Sequence, residues 1–384
     1  MKKNKAFTLI ELLVVIAIIA LLIGILLPAI GKARDTAKNV LSQSRMRQLA
    51  LGANSYAADN NDRIFTFSWR GGAQPGVTPL TPFSYDISCP NDPPQVELAR
   101  DTLDGADLQF VEIMRRVTGR CGDDDFAPFG QRLWHRRWSH VALLDYLTST
   151  QPEPIAASPF DKNQLDWAAD QTNFDGGSTV PYANGNPTDE IYDQDGNWDN
   201  PQVRNKWAFA SSYQTVPAAW NTDGIGTITY APTDTTPHLF GLSNPVGATR
   251  PERLVQLGNR RFAQVAFPAG KVLQFEEFDR LSNRQGLPWM YPEAQCNLSF
   301  FDGSVRRLPS AEANPGWNPA QPGDDWVQVY RALDTFPTGT NPAGTEFCQR
   351  YRWTRYGLRG VDYGGKEIGR PSSLPEEEDV DCVQ

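Results

Sequence analysis

Ala6-Phe7-Thr8-Leu9-Ile10-Glu11-Leu12-Leu13-Val14-Val15-Ile16 opens the stretch that decides how this chain is built. From Phe7 to Gly31 the only charge is Glu11, and Leu12 to Leu27 carries no polar side chain at all. A helix over 7–31 measures about 37 Å at 1.5 Å per residue, which crosses the roughly 30 Å hydrocarbon core of a bilayer. Lys2, Lys3 and Lys5 stand before it. A secretory signal peptide is the plainer alternative. Its apolar region is shorter, however, and runs into a small-residue cleavage site, whereas here the apolar run continues through Pro28 and Ala29 into a polar helix. Glu11 is out of keeping with such a segment. A carboxylate at membrane depth costs on the order of 3 kcal/mol unless it meets a partner. A cation from a neighbouring chain would offset that cost, and a freshly cut α-amino group would serve.

The residues from Ala6 to Ile16, with the basic leader before them, resemble the type IV prepilin signal shared by type IV pilins and type II secretion pseudopilins. The resemblance implies that a prepilin peptidase cuts on the cytoplasmic side between Ala6 and Phe7 and N-methylates Phe7. It implies that Glu11 pairs with the terminal amine of an adjacent subunit during assembly. The implied partners are the peptidase, other pilin or pseudopilin subunits and an inner-membrane assembly platform. The residue before the cut is usually Gly in that family; this chain departs from it with Ala6, which is still a small residue. The likeness covers only the amino-terminal helix. Orientation is not set by charge, because Lys32, Arg34, Lys38, Arg45 and Arg47 follow the span and outnumber the leader lysines. The resemblance, rather than the charges, implies a single-pass inner-membrane protein with its body outside the cytoplasm and later a periplasmic or surface filament.

Working outward, Ala33, Ala37, Val40, Leu41, Leu49, Ala53, Tyr56 and Ala57 recur at helical spacing. They predict a second, amphipathic half of the same helix, docked on the chain's own globular part and stopped by Asp59-Asn60-Asn61-Asp62. The expected organisation is a leader over 1–6, a helix over 7–62 with 7–31 in the membrane, and a globular domain over 63–384 with an insertion over about 94–205. Within that domain Arg63–Trp69 alternates as a strand, Val96–Val117 and 132–148 have helical spacing, and 207–216, 225–231, 263–266 and 272–276 read as strands. Residues 297–308 read as a hairpin whose Asp302-Gly303 suits a type I′ turn, with positive φ at both. The fold class is therefore α+β: a long amino-terminal helix, half transmembrane, packed on an antiparallel sheet with helical and loop insertions. The stretch Phe300-Phe301-Asp302-Gly303-Ser304-Val305 is also similar to the Asp-Gly hairpin of a group of large prepilin-like proteins from planctomycete-type bacteria. Their His ten residues before the Asp is Pro292 here.

Composition narrows the function. A 384-residue chain with 11 Trp, 12 Tyr and 19 Phe can build a substantial core, while 31 Gly and 30 Pro favour loops over a helical bundle. A net charge of −9 argues against nucleic acid as a partner. Asp193, Asp195, Asn197 and Asp199 crowd oxygen ligands around a Gly and are a calcium candidate, although Gly196 is misplaced for an EF-hand and a solvated turn is the plainer reading. Asp123, Asp124 and Asp125 form a weaker cluster. His135 and His140 are spaced for different helix faces, and Ser139 beside His140 makes no triad. Arg132, Trp134, Arg136, Arg137 and Trp138 read as arginines lying over a Trp-anchored surface. Five cysteines in an oxidising compartment predict one or two disulfides without saying which. No catalytic constellation and no required cofactor emerge. The expected role is structural, in a secretion pseudopilus or pilus-like filament; the alternative is a membrane-anchored protein that binds envelope polysaccharide or another ligand.

Overall fold

The computed structural model describes residues 9–69, 83–89, 92–99, 102–121, 126, 138–148, 151–169, 208–220, 260–282, 286–289, 291–314, 316, 329–331, 346–348, 350–354 and 357–364. The helix α1 runs unbroken from Leu9 to Asp59, through Pro28. It ends where the polar cluster predicted. Asn61 and Asp62 take left-handed φ values of 55° and 64°, a conformation that Asn and Asp tolerate better than other side chains. The Asp62 N–H then turns back to the Ala57 carbonyl at 2.8 Å and satisfies an end-of-helix acceptor.

After α1 come strands β1 (Phe83–Asp86) and β2 (Val96–Ala99), helices α2 (Thr102–Thr118) and α3 (Lys162–Ala169), and strands β3 (Tyr213–Thr215) and β4 (Val272–Glu276). Strands β5 (Phe278–Asp279), β6 (Leu287–Pro288), β7 (Gln295–Phe300), β8 (Val305–Pro309), β9 (Val329–Arg331) and β10 (Glu346–Cys348) complete the order. The main sheet is antiparallel with strand order β3-β4-β7-β8; β1 with β2, β5 with β6 and β9 with β10 form separate pairs. The α+β class expected from the sequence is the one observed.

The two faces of the main sheet differ in kind. Directly paired residues share a face, and the register Tyr213↔Glu276, Thr215↔Gln274, Gln274↔Ser299, Asn297↔Arg307 and Ser299↔Val305 gathers most of its polar side chains on one, Gln214 and Arg306 excepted. Phe275↔Leu298, Cys296↔Leu308 and Val272↔Phe300 gather apolar ones on the other. That apolar face meets an aromatic core in which Phe275 lies 5.8 Å from Trp289 and 5.3 Å from Tyr351, ring centre to ring centre. Helix α1 lies instead on the polar face. Its buried residues are Ser42, Met46, Leu49, Ala50, Gly52, Ala53 and Ala57. Gly52 is needed for close approach, since a Cβ there would meet Leu147 Cδ2 at 3.0 Å where the 3-10 helix Ser139–Tyr146 crosses α1.

This corrects the expected docking stripe. Leu49, Ala53 and Ala57 dock, and Tyr56 packs edge-on against Tyr146. Ala33, Ala37, Val40 and Leu41 are exposed. Asn39, Ser42 and Gln43 turn toward the sheet on either side of Val40 and Leu41, so these two lie on the opposite face of the helix.

Arg63–Trp69 is not a strand. Ile64 to Phe67 are all buried, so no solvent face exists for the alternation to mark. Their backbone donors go elsewhere: Ile64 to the Arg260 carbonyl at 2.9 Å, Ser68 and Trp69 to Gln109 Oε1 at 2.6 and 2.9 Å. Val96–Ala99 pairs with β1 rather than starting the helix, an ambiguity inherent in a short apolar run. The 263–266 run is a 3-10 turn over Phe262–Gln264, and the 132–148 run appears as the 3-10 helix Ser139–Tyr146. The β7–β8 hairpin is real, but its loop holds three residues. Phe300 N–H bonds to the Ser304 carbonyl at 2.9 Å, and Gly303 with φ 81° is left-handed while Asp302 is not. One positive φ replaces the two expected, the arrangement of a three-residue hairpin loop.

Cys89 and Cys121 form a disulfide that ties the loop after β1 to the end of α2. Closing that loop in the unfolded chain is worth about 3–4 kcal/mol on the chain-entropy account. Cys296 is a buried free thiol. The runs 207 and 225–231 and the acidic tail after Pro371 fall outside the described residues.

Gly270 supports the carboxy-terminal segment. Its carbonyl accepts the Asp362 and Tyr363 N–H groups, both at 3.0 Å. A Cβ there would sit 2.6 Å from the Tyr363 carbonyl oxygen and 2.8 Å from Val361 Cγ2. Gly270→Ala is expected to destabilise the body by roughly 1–3 kcal/mol, read as a lower urea midpoint for detergent-solubilised protein.

Candidate functional site

The amino-terminal half of α1 is an uncovered apolar rod. From Leu9 to Ile30 every residue is exposed, and Glu11 lies in the first described turn among them. By length and composition this is one helix able to cross a membrane, with a mean hydropathy of 3.2 over its most apolar window and none of that window buried in the protein. Large apolar surface without cover marks a lipid or protein contact. Ala6 and Phe7 lie outside the described residues, as do Asp193, Asp195, Asn197 and Asp199, Asp123 to Asp125, and the Arg132–Arg137 stretch with His135. Trp138 is buried, 6.1 Å from the Phe110 ring, so it belongs to the core rather than to a surface patch. Ser139 commits its hydroxyl to Thr215 Oγ1 at 2.6 Å, and His140 is buried beside it in the 3-10 helix.

Where α1 meets the sheet there is a polar joint. Asn39, Ser42 and Gln43 lie one helical turn apart and so share a side of the helix. Gln43 Nε2 donates to Asn297 Oδ1 at 3.1 Å, and Asn297 Nδ2 donates to Asn39 Oδ1 at 3.0 Å. At the centre is Glu276, 4% exposed. Its Oε2 accepts from Asn297 Nδ2 at 2.9 Å. Its Oε1 accepts from Ser42 Oγ at 3.4 Å and also from Ser158 Oγ. Ser42 Oγ and the Tyr213 hydroxyl lie 3.0 Å apart. Behind Ser158, its N–H donates to Ser212 Oγ at 2.9 Å, and Ser212 donates to Asp161 Oδ2 at 2.7 Å. Asp161 also caps α3 by accepting the Gln164 N–H and pairs with Arg280 at 3.4 Å. Just below, Met46, Leu49 and Tyr213 form a small apolar cluster with Val305 packed against it.

Burial pushes the Glu276 carboxyl up to about 7, with Asp161 and Asp279 adding to the rise and the Ser158 and Asn297 hydrogen bonds opposing it. Burial likewise raises the Tyr213 hydroxyl, followed by the nearby Glu276 charge. Sequence reasoning did not single out this joint. The available signal was the alternation in Gln274-Phe275-Glu276 and Asn297-Leu298-Ser299, which places the polar residues of both strands on one face.

Because folding raises the proton affinity of Glu276, the stability it contributes is complete below the ordinary glutamate range and is lost as pH rises through about 7. The expected decline is roughly 3 kcal/mol, at about 1.4 kcal/mol per pH unit. Urea midpoints of wild type and Glu276→Gln at either side of that interval check this: the variant should show a flatter profile, its difference from wild type growing with pH.

Among families, the prokaryotic N-terminal methylation motif matches residues 1–27. No curated protein and no solved structure matches the chain. A methylation motif over residues 1–27, continued directly by an exposed apolar helix long enough to cross a bilayer, gives this chain the amino-terminal architecture of a prepilin-like protein.

Proposed function

We propose that this chain is a structural subunit of a type II secretion pseudopilus or a type IV pilus-like filament. A prepilin peptidase removes residues 1–6 by cutting between Ala6 and Phe7 and methylates Phe7. The mature subunit waits in the inner membrane with its body outside the cytoplasm, and an assembly platform then draws it into a filament of like subunits. The methylation motif supports the processing step.

The observation that carries assembly is that α1 exposes more apolar surface than a bilayer can cover. Val40, Leu41 and Leu51 are 59%, 45% and 58% exposed. Val40 lies about 14 Å along the axis beyond residue 31, at 1.5 Å per residue, outside any span that begins at residue 7. Together with Ala33 and Ala37 they form small and apolar positions next to a well-docked half-helix. Apolar helices of other subunits would cover both this surface and the membrane segment. Glu11 would then set the register by meeting the methylated amine of Phe7 on a neighbour, which offsets the cost of its burial. The role needs no chemistry from the globular body.

The mature protein from its native host should begin with N-methyl-Phe7 by mass spectrometry; a chain beginning at Met1 beside an active prepilin peptidase would sink the reading. Glu11→Ala should enter the membrane normally and fail to assemble. Val40→Asp with Leu41→Asp should leave the urea midpoint of the body within about 0.5 kcal/mol, as for exposed sites, while abolishing filaments seen by electron microscopy.

A further inference from the structure

Lys271, immediately before β4, and Asp362, in the segment that follows the 3-10 turn Gly357–Arg359, are sealed from solvent at 0% and 1% exposure. Lys271 Nζ stands 3.1 Å from Asp362 Oδ2 and 3.3 Å from Oδ1. The carboxyl has two neutral donors of its own. The Val272 N–H donates to Oδ2 at 2.8 Å, and Thr354 Oγ1 donates to Oδ1 at 2.5 Å. Thr354 Oγ1 is also in contact with Lys271 Nζ. The backbone holds both partners in place: the Asp362 and Tyr363 N–H groups bond to the carbonyl of Gly270, the residue before Lys271. Tyr363 in turn packs against Phe300 and Tyr351.

A water-free ion pair is a poor source of stability, because desolvating two charges costs about as much as their attraction returns. Burial raises the Asp362 carboxyl, against the opposing pull of Lys271, Thr354 and the Val272 N–H. Transfer of a proton from ammonium to carboxylate gives a neutral amine, which is a nucleophile, facing a carboxylic acid. The Val272 N–H is placed to hold negative charge developing on Oδ2. The Thr354 hydroxyl touches both the amine and Oδ1, so it is placed to pass a proton from one to the other. Fixed proximity of this kind replaces the large entropic cost of bringing two reactants together.

We propose that Lys271 and Asp362 condense into an intramolecular amide. Nζ bonds to Cγ and the Cγ–Oδ1 bond breaks. Oδ1 leaves as water, carrying the carboxyl proton and one amine proton, while the other amine proton remains on the amide nitrogen. No oxidant or other reactant is needed. The product removes both buried charges and joins β4 to the carboxy-terminal segment across 91 residues of chain.

Tryptic digestion of the full chain, purified in detergent, tests this. Trypsin cannot cut after an acylated Lys271, so residues 262–280 should stay whole and appear joined to residues 360–366, lighter than the two together by one water. Asp362→Asn should give the same joined peptide by loss of ammonia, Lys271→Met should give none, and Thr354→Val should slow its appearance at least about tenfold. Should the Lys271→Met chain fail to fold, the wild-type digest decides alone. Separate linear peptides 262–271 and 360–366, from wild-type chain whose Cys89–Cys121 bridge has closed, overturn the proposal.

Discussion

A carboxylate without water, Glu276, sits where the long helix crosses the sheet, and the placement of the helix on the body follows from it. An apolar helix on an apolar sheet can find several registers of similar energy, since hydrophobic contact has no direction. Here the sheet offers α1 its polar face. Asn39, Ser42 and Gln43 must meet Asn297, Glu276 and Tyr213 or leave buried polar groups unpaired. An unpaired buried group costs about 1–3 kcal/mol, so a slip by one turn would break several bonds at once. The Met46–Leu49–Tyr213 cluster then adds apolar burial to a register already chosen.

The same helix serves two environments that would each be satisfied by a different sequence. Its first half is apolar on every side and its second half carries only a narrow buried strip of small and medium residues. Gly52 allows the 3-10 helix Ser139–Tyr146 to press close. Ala33, Ala37, Val40 and Leu41 are left uncovered by the body.

Much of this was legible beforehand, for physical reasons. The apolar run, its single acid, the stop at Asp59–Asp62 and the 297–308 hairpin all rest on local rules, and the structure agrees with each within a few residues. The docking stripe was misjudged because helical spacing reports that a face is apolar, not what covers it. Ala33 and Ala37 look the same on paper as Ala53 and Ala57. Arg63–Trp69 is not a strand because its alternation is accidental where Ile64 to Phe67 are all buried. Alternation marks a polar face on β4 and β7, but neither the pairing of Glu276 with α1 nor the Lys271–Asp362 pair follows from spacing. The members of the joint and of the pair lie 258 and 91 residues apart at the widest, and only the fold brings them together.

The polar joint also has a mechanical meaning. Directional bonds resist sliding, while greasy contacts yield to it gradually. A tug along the shaft of α1 would load Asn39, Ser42 and Gln43 in shear against β4 and β7 all together, so the helix and sheet should part in one brittle step and not creep past each other.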